Sequence, residues 1–180
     1  MKNIVKVSVL RELLIQKQSG IESRKGVYCW WFSSAAAKDL ISQLGLTQSD
    51  ISRIQVRLME DGKEYWALYF GISKDMLSRA KWHVLQRHTV SAVKYGTLST
   101  LRQTISALLN TPMSVSEDAV NAFIDSNCYW EWEYDNNPEV RERQTLSSSV
   151  CYPLNIKENK TISKGHIHRL KKLRKIYKDR

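Results

Sequence analysis

Arg79 and His83 stand one helical turn apart, shortly after an apolar run that ends in Tyr69, Phe70 and Gly71. In a helix, residues i and i+4 are neighbours on one face, so both side chains can lie at the rim of a core. Arginine offers a planar, permanently charged fork that suits phosphate and carboxylate oxygens. The spacing therefore indicates a cation that packing holds in place and that still reaches a substrate.

Strand-like segments surround these residues and predict a small antiparallel sheet. Aromatic and β-branched residues cluster in 26–32, which predicts a strand. Two further runs, 51–60 and 63–72, flank an Asp-Gly pair, the strongest hairpin signal in the sequence. Strict alternation over 128–135 predicts a fourth strand at an edge of the sheet. The predicted fold class is α/β (α+β), with a three- to four-stranded antiparallel sheet flanked by helices.

Helices fill most of the remaining sequence. Ser33 and Ser73 are the predicted caps of two of them, since serine satisfies free amide groups at a helix start. Pro138 suits the first turn of a third. Helices are predicted over 4–18, 33–45, about 74–87, about 98–109, 116–126, about 138–149 and about 164–178.

Length and composition favour one domain in a reducing compartment. A chain of 180 residues with 42% hydrophobic composition can bury one ordinary core. The three cysteines form no C-x-x-C pair, so neither a disulfide framework nor a cysteine-rich zinc site is indicated. Arg11 and Glu12 interrupt the only apolar run near the amino terminus. We therefore expect a cytoplasmic protein without a membrane-spanning segment.

Charge is distributed unevenly along the chain. The net charge is +10, and residues 157–180 contain ten Lys or Arg against Glu158 and Asp179. Residues 115–142 instead contain eight carboxylates against Arg141. A positive exterior attracts polyanions, and an acidic pocket within it would suit a divalent cation. Both runs are equally compatible with ordinary solvated surfaces.

Two short motifs and four later residues form an ordered set. Residues 26–28 are Gly-Val-Tyr, and residues 69–71 are Tyr-Phe-Gly. An arginine follows the second glycine by eight positions, and a histidine follows one turn later. A helix glutamate and an asparagine after a proline come further on. The set resembles the GIY-YIG nuclease family at Tyr28, Tyr69, Arg79, His83, Glu142 and Asn155.

The resemblance implies a domain organisation and a set of site residues. Residues 1–180 would be a single GIY-YIG-like nuclease domain, with an insertion at about 33–64 because the family joins its two motif strands more briefly. It implies catalytic roles for Tyr28, Tyr69, Arg79 and His83, metal binding by Glu142, and site-supporting roles for Gly26, Gly71 and Asn155. We expect the catalytic and metal-binding side chains to converge on one solvent-open cleft.

The family resemblance also implies a cofactor and a mechanism. Glu142 would supply the one carboxylate that Mg²⁺ (or Mn²⁺) commonly takes from a protein. Tyr28 would deprotonate or orient the attacking water, and Tyr69 and His83 would assist. A tyrosine is a poor base at neutral pH unless a nearby cation lowers its pKa. Tyr28 is therefore expected to lie close to Arg79, a lysine or the metal ion.

The basic C-terminal helix at about 164–178 is a candidate surface for nucleic acid, most directly DNA. Its cations alternate with an apolar stripe and would grip phosphates without selecting a sequence. They are Lys171, Lys172, Arg174, Lys175 and Lys178. An ordinary solvated helix face is the alternative for this segment.

Three functions are compatible with the sequence. The leading hypothesis is a GIY-YIG-type endonuclease that hydrolyses DNA phosphodiester bonds with a divalent metal. The second is a catalytically inactive nucleic-acid-binding domain of the same fold, acting in repair, recombination or mobile-element biology. The third is a protein-interaction domain whose acidic 115–142 segment meets a basic partner.

Overall fold

A computed structural model describes residues 3–157 and 159–178, and the predictions that involve residues 1, 2, 158, 179 and 180 lie outside it. Within the described residues one sheet contains β1 (Asn3–Lys6), β2 (Gly26–Ser33), β3 (Val56–Leu58), β4 (Glu64–Ser73) and β5 (Cys128–Tyr134). The helices are α1 (Val7–Ile15), α2 (Ser34–Ser42), α3 (Gln48–Ile51), α4 (Met76–Val84), α5 (Val90–Lys94), α6 (Thr100–Leu108), α7 (Glu117–Asn127), α8 (Pro138–Leu146) and α9 (Lys164–Lys178).

The sheet is antiparallel, with strand order β1-β5-β2-β4-β3, and it separates two layers of core. Tyr28, Trp30 and Phe32 of β2 face the larger layer, which most of the helices cover. Val27 and Trp31 face a smaller layer under α8 and the segment after it. Burial on both faces explains why β2 is a continuous apolar run rather than an alternating one. The α/β prediction with an antiparallel sheet and flanking helices is confirmed.

The sheet has five strands rather than the predicted three to four, because the predicted helix 4–18 is wrong at its start. Asn3–Lys6 forms β1 and pairs with β5 in the register Val5↔Trp130, and the helix begins only at Val7. The prediction that β5 is an edge strand is therefore also wrong. It lies between β1 and β2, and both neighbours hydrogen-bond to it.

The hairpin between β3 and β4 forms as predicted, with Gly62 in the left-handed region at a φ of 73°. That conformation costs a side-chain-bearing residue energy, which is why the turn uses glycine. The first strand is shorter than the predicted 51–60. α3 ends at Ile51 and the strand begins only at Val56. Thr47 and Asp50 hold α3 in a reciprocal capping box.

Of the two serines predicted to cap helices, one does so and the other does not. Ser33 caps α2 as predicted, by accepting a hydrogen bond from the amide of Ala36 at 3.4 Å. Ser73 does not cap α4. Asp75 does, accepting from the Ser78 amide at 2.8 Å, while the Ser73 hydroxyl accepts from the amide of Asp75 itself. A carboxylate is also favourable at this end of the helix dipole.

Residues 33–64, the predicted insertion, contain α2, α3 and β3. Their apolar side chains, including Leu40 and Ile54, join the larger core layer beside β2. At the other end of the chain, Leu170 of α9 is buried in the same layer. Across residues 3–157 and 159–178, we find no helix with the length and apolar character needed to span a membrane.

Candidate active site

The two motif strands place Tyr28 and Tyr69 on neighbouring strands of the sheet. β2 and β4 are antiparallel neighbours, and Tyr28 lies directly opposite Gly71. The ring centroids of the two tyrosines are 6.3 Å apart. Tyr28 is only 1% exposed, whereas Tyr69 is half-buried and its hydroxyl lies 3.5 Å from the Thr100 hydroxyl. The tyrosines therefore form a pair in which one member reaches the surface.

His83 joins this pair through a hydrogen bond to Tyr28. Its Nε2 lies 2.8 Å from the Tyr28 hydroxyl oxygen, and its ring centroid lies 6.3 Å from that of Tyr69. The other ring nitrogen, Nδ1, lies 2.8 Å from the hydroxyl of Ser99, the cap residue of α6. His83 is itself 1% exposed. A buried chain of polar groups thus runs from Ser99 through His83 to Tyr28.

Burial keeps both members of the Tyr28–His83 hydrogen bond uncharged near neutral pH. Desolvation raises the pKa of Tyr28 well above 10.0, with a further contribution from Tyr69, and the cation of Arg79 only partly opposes this. Desolvation lowers the pKa of His83 well below 6.5, and Arg79 and Arg102 lower it further. Loss of solvent disfavours the charged form of either group. Arg79 lies close enough to act on both, as expected, but it does not offset the burial of Tyr28.

Arg79 lies on the same helix as His83 and lines a cavity of about 720 Å³. Its guanidinium group stacks 4.6 Å above the ring centroid of Trp82. The Trp82 indole in turn donates a hydrogen bond to the carbonyl of Thr97 at 3.1 Å. Stacking on a fixed aromatic face orients a guanidinium plane while leaving its N–H groups available. The cavity is lined by Ile72, Ser73, Lys74, Asp75, Ser78, Arg79, Trp82 and Glu139.

Glu142 lies on α8, one turn after the cavity residue Glu139, and is half-buried. Burial is the main cause of the raised pKa of Tyr28, and the negative charge of Glu142 is the smallest of the contributions that raise it. Within the described ranges, no cluster of three or more His, Cys, Asp or Glu could hold a metal ion. A site with one carboxylate fits Mg²⁺, which keeps several waters and takes other ligands from substrate phosphate.

The predicted supporting residues occupy positions where their types are needed. A Cβ on Gly26 would lie 2.4 Å from the backbone oxygen of Glu133, and a Cβ on Gly71 would contact the Tyr28 ring. Asn155 hydrogen-bonds both backbone groups of Phe70, accepting from its N–H at 2.8 Å and donating to its C=O at 2.6 Å. These three residues shape β2 and β4, the strands that carry the two tyrosines.

Asn155 also covers the part of β4 that β3 does not reach. β3 pairs with β4 only as far as Trp66, so in the described part of the chain no strand pairs with the edge around Leu68 and Phe70. The Leu154 amide donates to the carbonyl of Leu68 at 3.0 Å, next to the Asn155 bonds. The side-chain amide of Asn155, with one donor and one acceptor, thus takes the place of a peptide group in an adjacent strand.

Three of the predicted catalytic residues converge, but not on a solvent-open cleft. Tyr28, Tyr69 and His83 are in mutual ring contact, and Arg79 and Glu142 act electrostatically on Tyr28. The expectation of a fully open site is wrong for Tyr28 and His83, which lie beneath the surface. Arg79, Tyr69 and Glu142 are half-buried and form its accessible part.

The acidic 115–142 segment does not form the expected acidic pocket for a cation. Glu131 is buried on the opposite face of the sheet, where it accepts hydrogen bonds from Trp31 at 2.8 Å and Arg57 at 2.7 Å. Glu133 contacts Arg141 at 3.4 Å. These two carboxylates are thus engaged by separate basic and indole groups.

Of the five basic residues predicted to bind nucleic acid, Arg174 is placed differently. Its guanidinium packs against α6 and donates to the Thr104 hydroxyl, with its Nε at 2.7 Å, and burial lowers its pKa to about 10. Arg174 is therefore engaged within the fold. The other four side chains are exposed on α9, namely Lys171, Lys172, Lys175 and Lys178.

Two groups of functional interest are not recognisable from the sequence. Ser99 is recognisable only as a helix cap, since its partner His83 lies 16 residues earlier. Arg102 is 1% exposed and donates to the carbonyl of His83 at 3.0 Å and to His88 Nε2 at 2.7 Å. A buried arginine on an amphipathic helix gives no local signal that distinguishes it from a surface one.

Comparison with known proteins gives one result. A sequence model described as the GIY-YIG catalytic domain matches residues 26–176 of this chain. The matched span begins at Gly26 of β2 and includes the predicted catalytic, metal-binding and supporting residues up to Asn155, together with most of α9. Searches of curated proteins and of solved structures give no match.

Proposed function

The chain belongs to the family of GIY-YIG catalytic domains, and from this premise we propose that it is an endonuclease that hydrolyses DNA phosphodiester bonds with a divalent metal ion. The family is one of nucleases, which implies a nucleic-acid substrate. The proposal adds that the substrate is DNA, that a metal ion takes part, and which role each residue has.

The observation that supports the proposal is the contact of Tyr28, Tyr69 and His83 beside the Arg79 cavity. Tyr28 and His83 are hydrogen-bonded at 2.8 Å, and both rings pack against Tyr69. Packing alone does not explain why three polar aromatic side chains from two strands and a helix meet here, because apolar rings would fill the same space without hydrogen-bond partners. Their combination is suited to proton transfer next to a site for an anion.

Arg79 is the group that would bind the scissile phosphate. It lines the cavity together with Lys74, and the carboxylates of Asp75 and Glu139 line the same space. Contact with the Trp82 ring holds the guanidinium group in place before substrate arrives. A preorganised donor of this kind stabilises the negative charge that develops in the transition state.

The tyrosines would orient the attacking water. Tyr69 is half-buried and offers the accessible hydroxyl of the pair, and Tyr28 lies behind it. Because burial raises the pKa of Tyr28, this residue is protonated in the free protein. For Tyr28 to accept a proton from water, its own proton must leave in the same step.

Glu142 is the residue that would hold the metal ion. Its carboxylate is an oxygen ligand of the type that Mg²⁺ and Mn²⁺ prefer, and it lies on α8 one turn after the cavity residue Glu139. When bound, the ion would supply charge neutralisation at the phosphate and a more acidic water.

The four exposed lysines of α9 would add sequence-independent affinity for DNA. They project from a helix that packs against α6, the helix that also supplies Thr100 near Tyr69. A basic surface beside the site draws the backbone of DNA toward the cavity. The net charge of +10 favours the same encounter.

Cleavage of supercoiled plasmid in the presence of Mg²⁺ tests the proposal. Wild type should nick the plasmid, whereas Arg79→Ala and Glu142→Gln should lose about 10²–10³ in rate. Arg87→Ala and Glu12→Gln are matched controls, because both residues are exposed and lie outside the cavity. Equal nicking by all five proteins would defeat the assignment.

The burial of Tyr28 and His83 favours a second candidate function, a domain of the same fold that binds nucleic acid without cutting it. In that case the hydrogen-bonded aromatic cluster would be a structural remnant of the site. Salt-sensitive DNA binding without cleavage of duplex, branched or single-stranded substrates, with either Mg²⁺ or Mn²⁺, would support this candidate over the enzyme.

A further inference from the structure

Both ring nitrogens of His83 are hydrogen-bonded, which allows the position of its single proton to be worked out. Nδ1 lies 2.8 Å from the Ser99 hydroxyl, and Nε2 lies 2.8 Å from the Tyr28 hydroxyl. A neutral imidazole is a donor at one nitrogen and an acceptor at the other. The partners of Ser99 decide between the two arrangements.

Ser99 is fully buried, and its hydroxyl oxygen already accepts a hydrogen bond. As the cap of α6 it accepts from the Arg102 amide at 3.4 Å, and its own amide donates to Gln86 Oε1 at 2.7 Å. Among the described residues, the remaining group within hydrogen-bonding distance of the Ser99 hydroxyl is Nδ1 of His83. The hydroxyl hydrogen of Ser99 therefore has Nδ1 as its acceptor.

A proton on Nδ1 of His83 would leave the Ser99 hydroxyl hydrogen without this acceptor. If Nδ1 of His83 were protonated, it would donate to the Ser99 oxygen, and the buried Ser99 O–H would lose the partner described above. A buried donor without an acceptor costs more free energy than the hydrogen bond from Nδ1 to Ser99 would contribute. With the proton on Nε2, the donors of Ser99 and His83 are satisfied by Nδ1 and by the Tyr28 oxygen.

We propose that Ser99 is a positioning residue that fixes the tautomer of His83 with its proton on Nε2, so that His83 donates a hydrogen bond to the Tyr28 oxygen. The catalytic meaning of this contact rests on the proposed function. A donor aimed at a phenol oxygen stabilises the anionic form and opposes the effect of burial. The buried Tyr28 hydroxyl keeps its own hydrogen in this arrangement and donates it to the side chain of Tyr69, with which it forms a further hydrogen bond.

Nitrogen NMR of the histidine rings measures the tautomer directly, without any need for catalysis. In ¹⁵N-labelled protein near neutral pH, the His83 ring should give the pattern of an Nε2-protonated neutral imidazole. The His83 signals are identified by their absence from the spectrum of His83→Gln. An Nδ1-protonated His83 in the wild-type protein would overturn the proposal.

Variants at position 99 test whether the serine sets this state. Ser99→Ala removes the donor to Nδ1, so the two nitrogen shifts should move toward each other as both tautomers become populated. Ser99→Thr keeps a hydroxyl and a cap and should restore the wild-type pattern. An unchanged His83 pattern in folded Ser99→Ala would contradict the proposal.

A capping control separates the tautomer from general destabilisation. Thr89→Ala removes the cap of α5, whose hydroxyl accepts from the Ala92 amide at 3.1 Å, and Thr89 is exposed on a different helix from His83. It should leave the His83 pattern unchanged. If Ser99→Ala fails to fold, the wild-type and threonine spectra still decide the question.

Plasmid cleavage measured on the same proteins distinguishes the tautomer from the catalytic role. Ser99→Ala should cut at least about 10-fold more slowly than wild type, and Ser99→Thr should recover most of the rate. An Nε2-protonated His83 in a protein that cuts no substrate would support the positioning role and defeat the proposed function. Active wild-type protein with Nδ1-protonated His83 would support the proposed function and defeat the positioning role.

Discussion

The Tyr28 hydroxyl oxygen lies 2.4 Å from the point where a Cβ would stand on Gly71, directly across from it in the sheet. Glycine is therefore required at position 71 by the ring of its neighbour rather than by its own backbone dihedral angles. Gly71→Ala should displace the Tyr28 ring and break its hydrogen bond to His83. We expect a loss of about 1–3 kcal/mol in the free energy of unfolding, together with loss of cleavage.

Urea denaturation and the plasmid assay measure both effects. Gly165→Ala is the matched control, because a Cβ there meets nothing closer than 3.8 Å and alanine is favourable within α9. A Gly71→Ala protein as stable and active as wild type would contradict the described packing of Tyr28.

The planar, forked guanidinium group of Arg79 leads to a second prediction. Lysine retains the charge but neither the planar pair of donors nor the stacking on Trp82. Arg79→Lys should therefore lower the cleavage rate by about 10²–10³ while leaving the thermal midpoint close to that of wild type. Arg87→Lys, at an exposed position, should leave the rate unchanged. Full activity in Arg79→Lys would show that charge alone suffices.

Acid should destabilise the protein through its buried histidines. His88 accepts a hydrogen bond from Arg102 at Nε2, and burial, with a further effect of Arg102, lowers its pKa to about 4. The pKa of His83 is also lowered, primarily by burial. Below about pH 6.5 the unfolded chain binds these protons and the folded chain does not, so stability falls as the pH falls.

For His88 alone the loss between pH 6.5 and pH 5 should be about 1.6 kcal/mol. Chemical denaturation at the two pH values measures it. His88→Gln should show a shallower pH dependence than wild type, and His168→Gln, at an exposed position, should retain the wild-type dependence. Stability that rises on acidification through this range would contradict the buried neutral state.

The basic surface of α9 should contribute to binding through charge. Lys171→Ala combined with Lys175→Ala should weaken DNA binding equally for unrelated sequences. It should also reduce the slope of log K against log salt concentration by about 2, because each lysine would otherwise neutralise one phosphate. Lys17→Ala with Lys63→Ala is the control, since both lysines are exposed on other parts of the chain. Equal slopes for the two double variants would exclude α9 from the interface.

The parts of the fold that can be predicted are those in which local signals agree. The Asp-Gly hairpin, the Ser33 cap and the doubly buried β2 each combine composition with turn or capping chemistry. β1 escapes prediction because four residues give too little periodicity, and Val5 fits the stripe of the following helix as well as a strand. Only its pairing with β5 decides the matter, and pairing is a property of the folded chain.

The same limit applies to the candidate site. Tyr28, Tyr69, Arg79 and His83 can be named from motif spacing, because the order of residues survives in the sequence. Their exposure to solvent cannot be predicted from the sequence, since it depends on which helices cover β2. The inward turn of Arg174 and the Ser99 contact are likewise set by neighbours that lie further along the chain.

The hydrogen bonds from Asn155 to β4 have a consequence for self-association. An uncovered stretch of strand edge is a template on which a second molecule can add a strand. Asn155 reaches this edge from 85 residues further along the chain. Until that segment has been synthesised and docked, a newly made chain exposes the Phe70 backbone, and a chain truncated before residue 154 would expose it permanently. We therefore expect the asparagine to disfavour strand addition by a second copy at this edge.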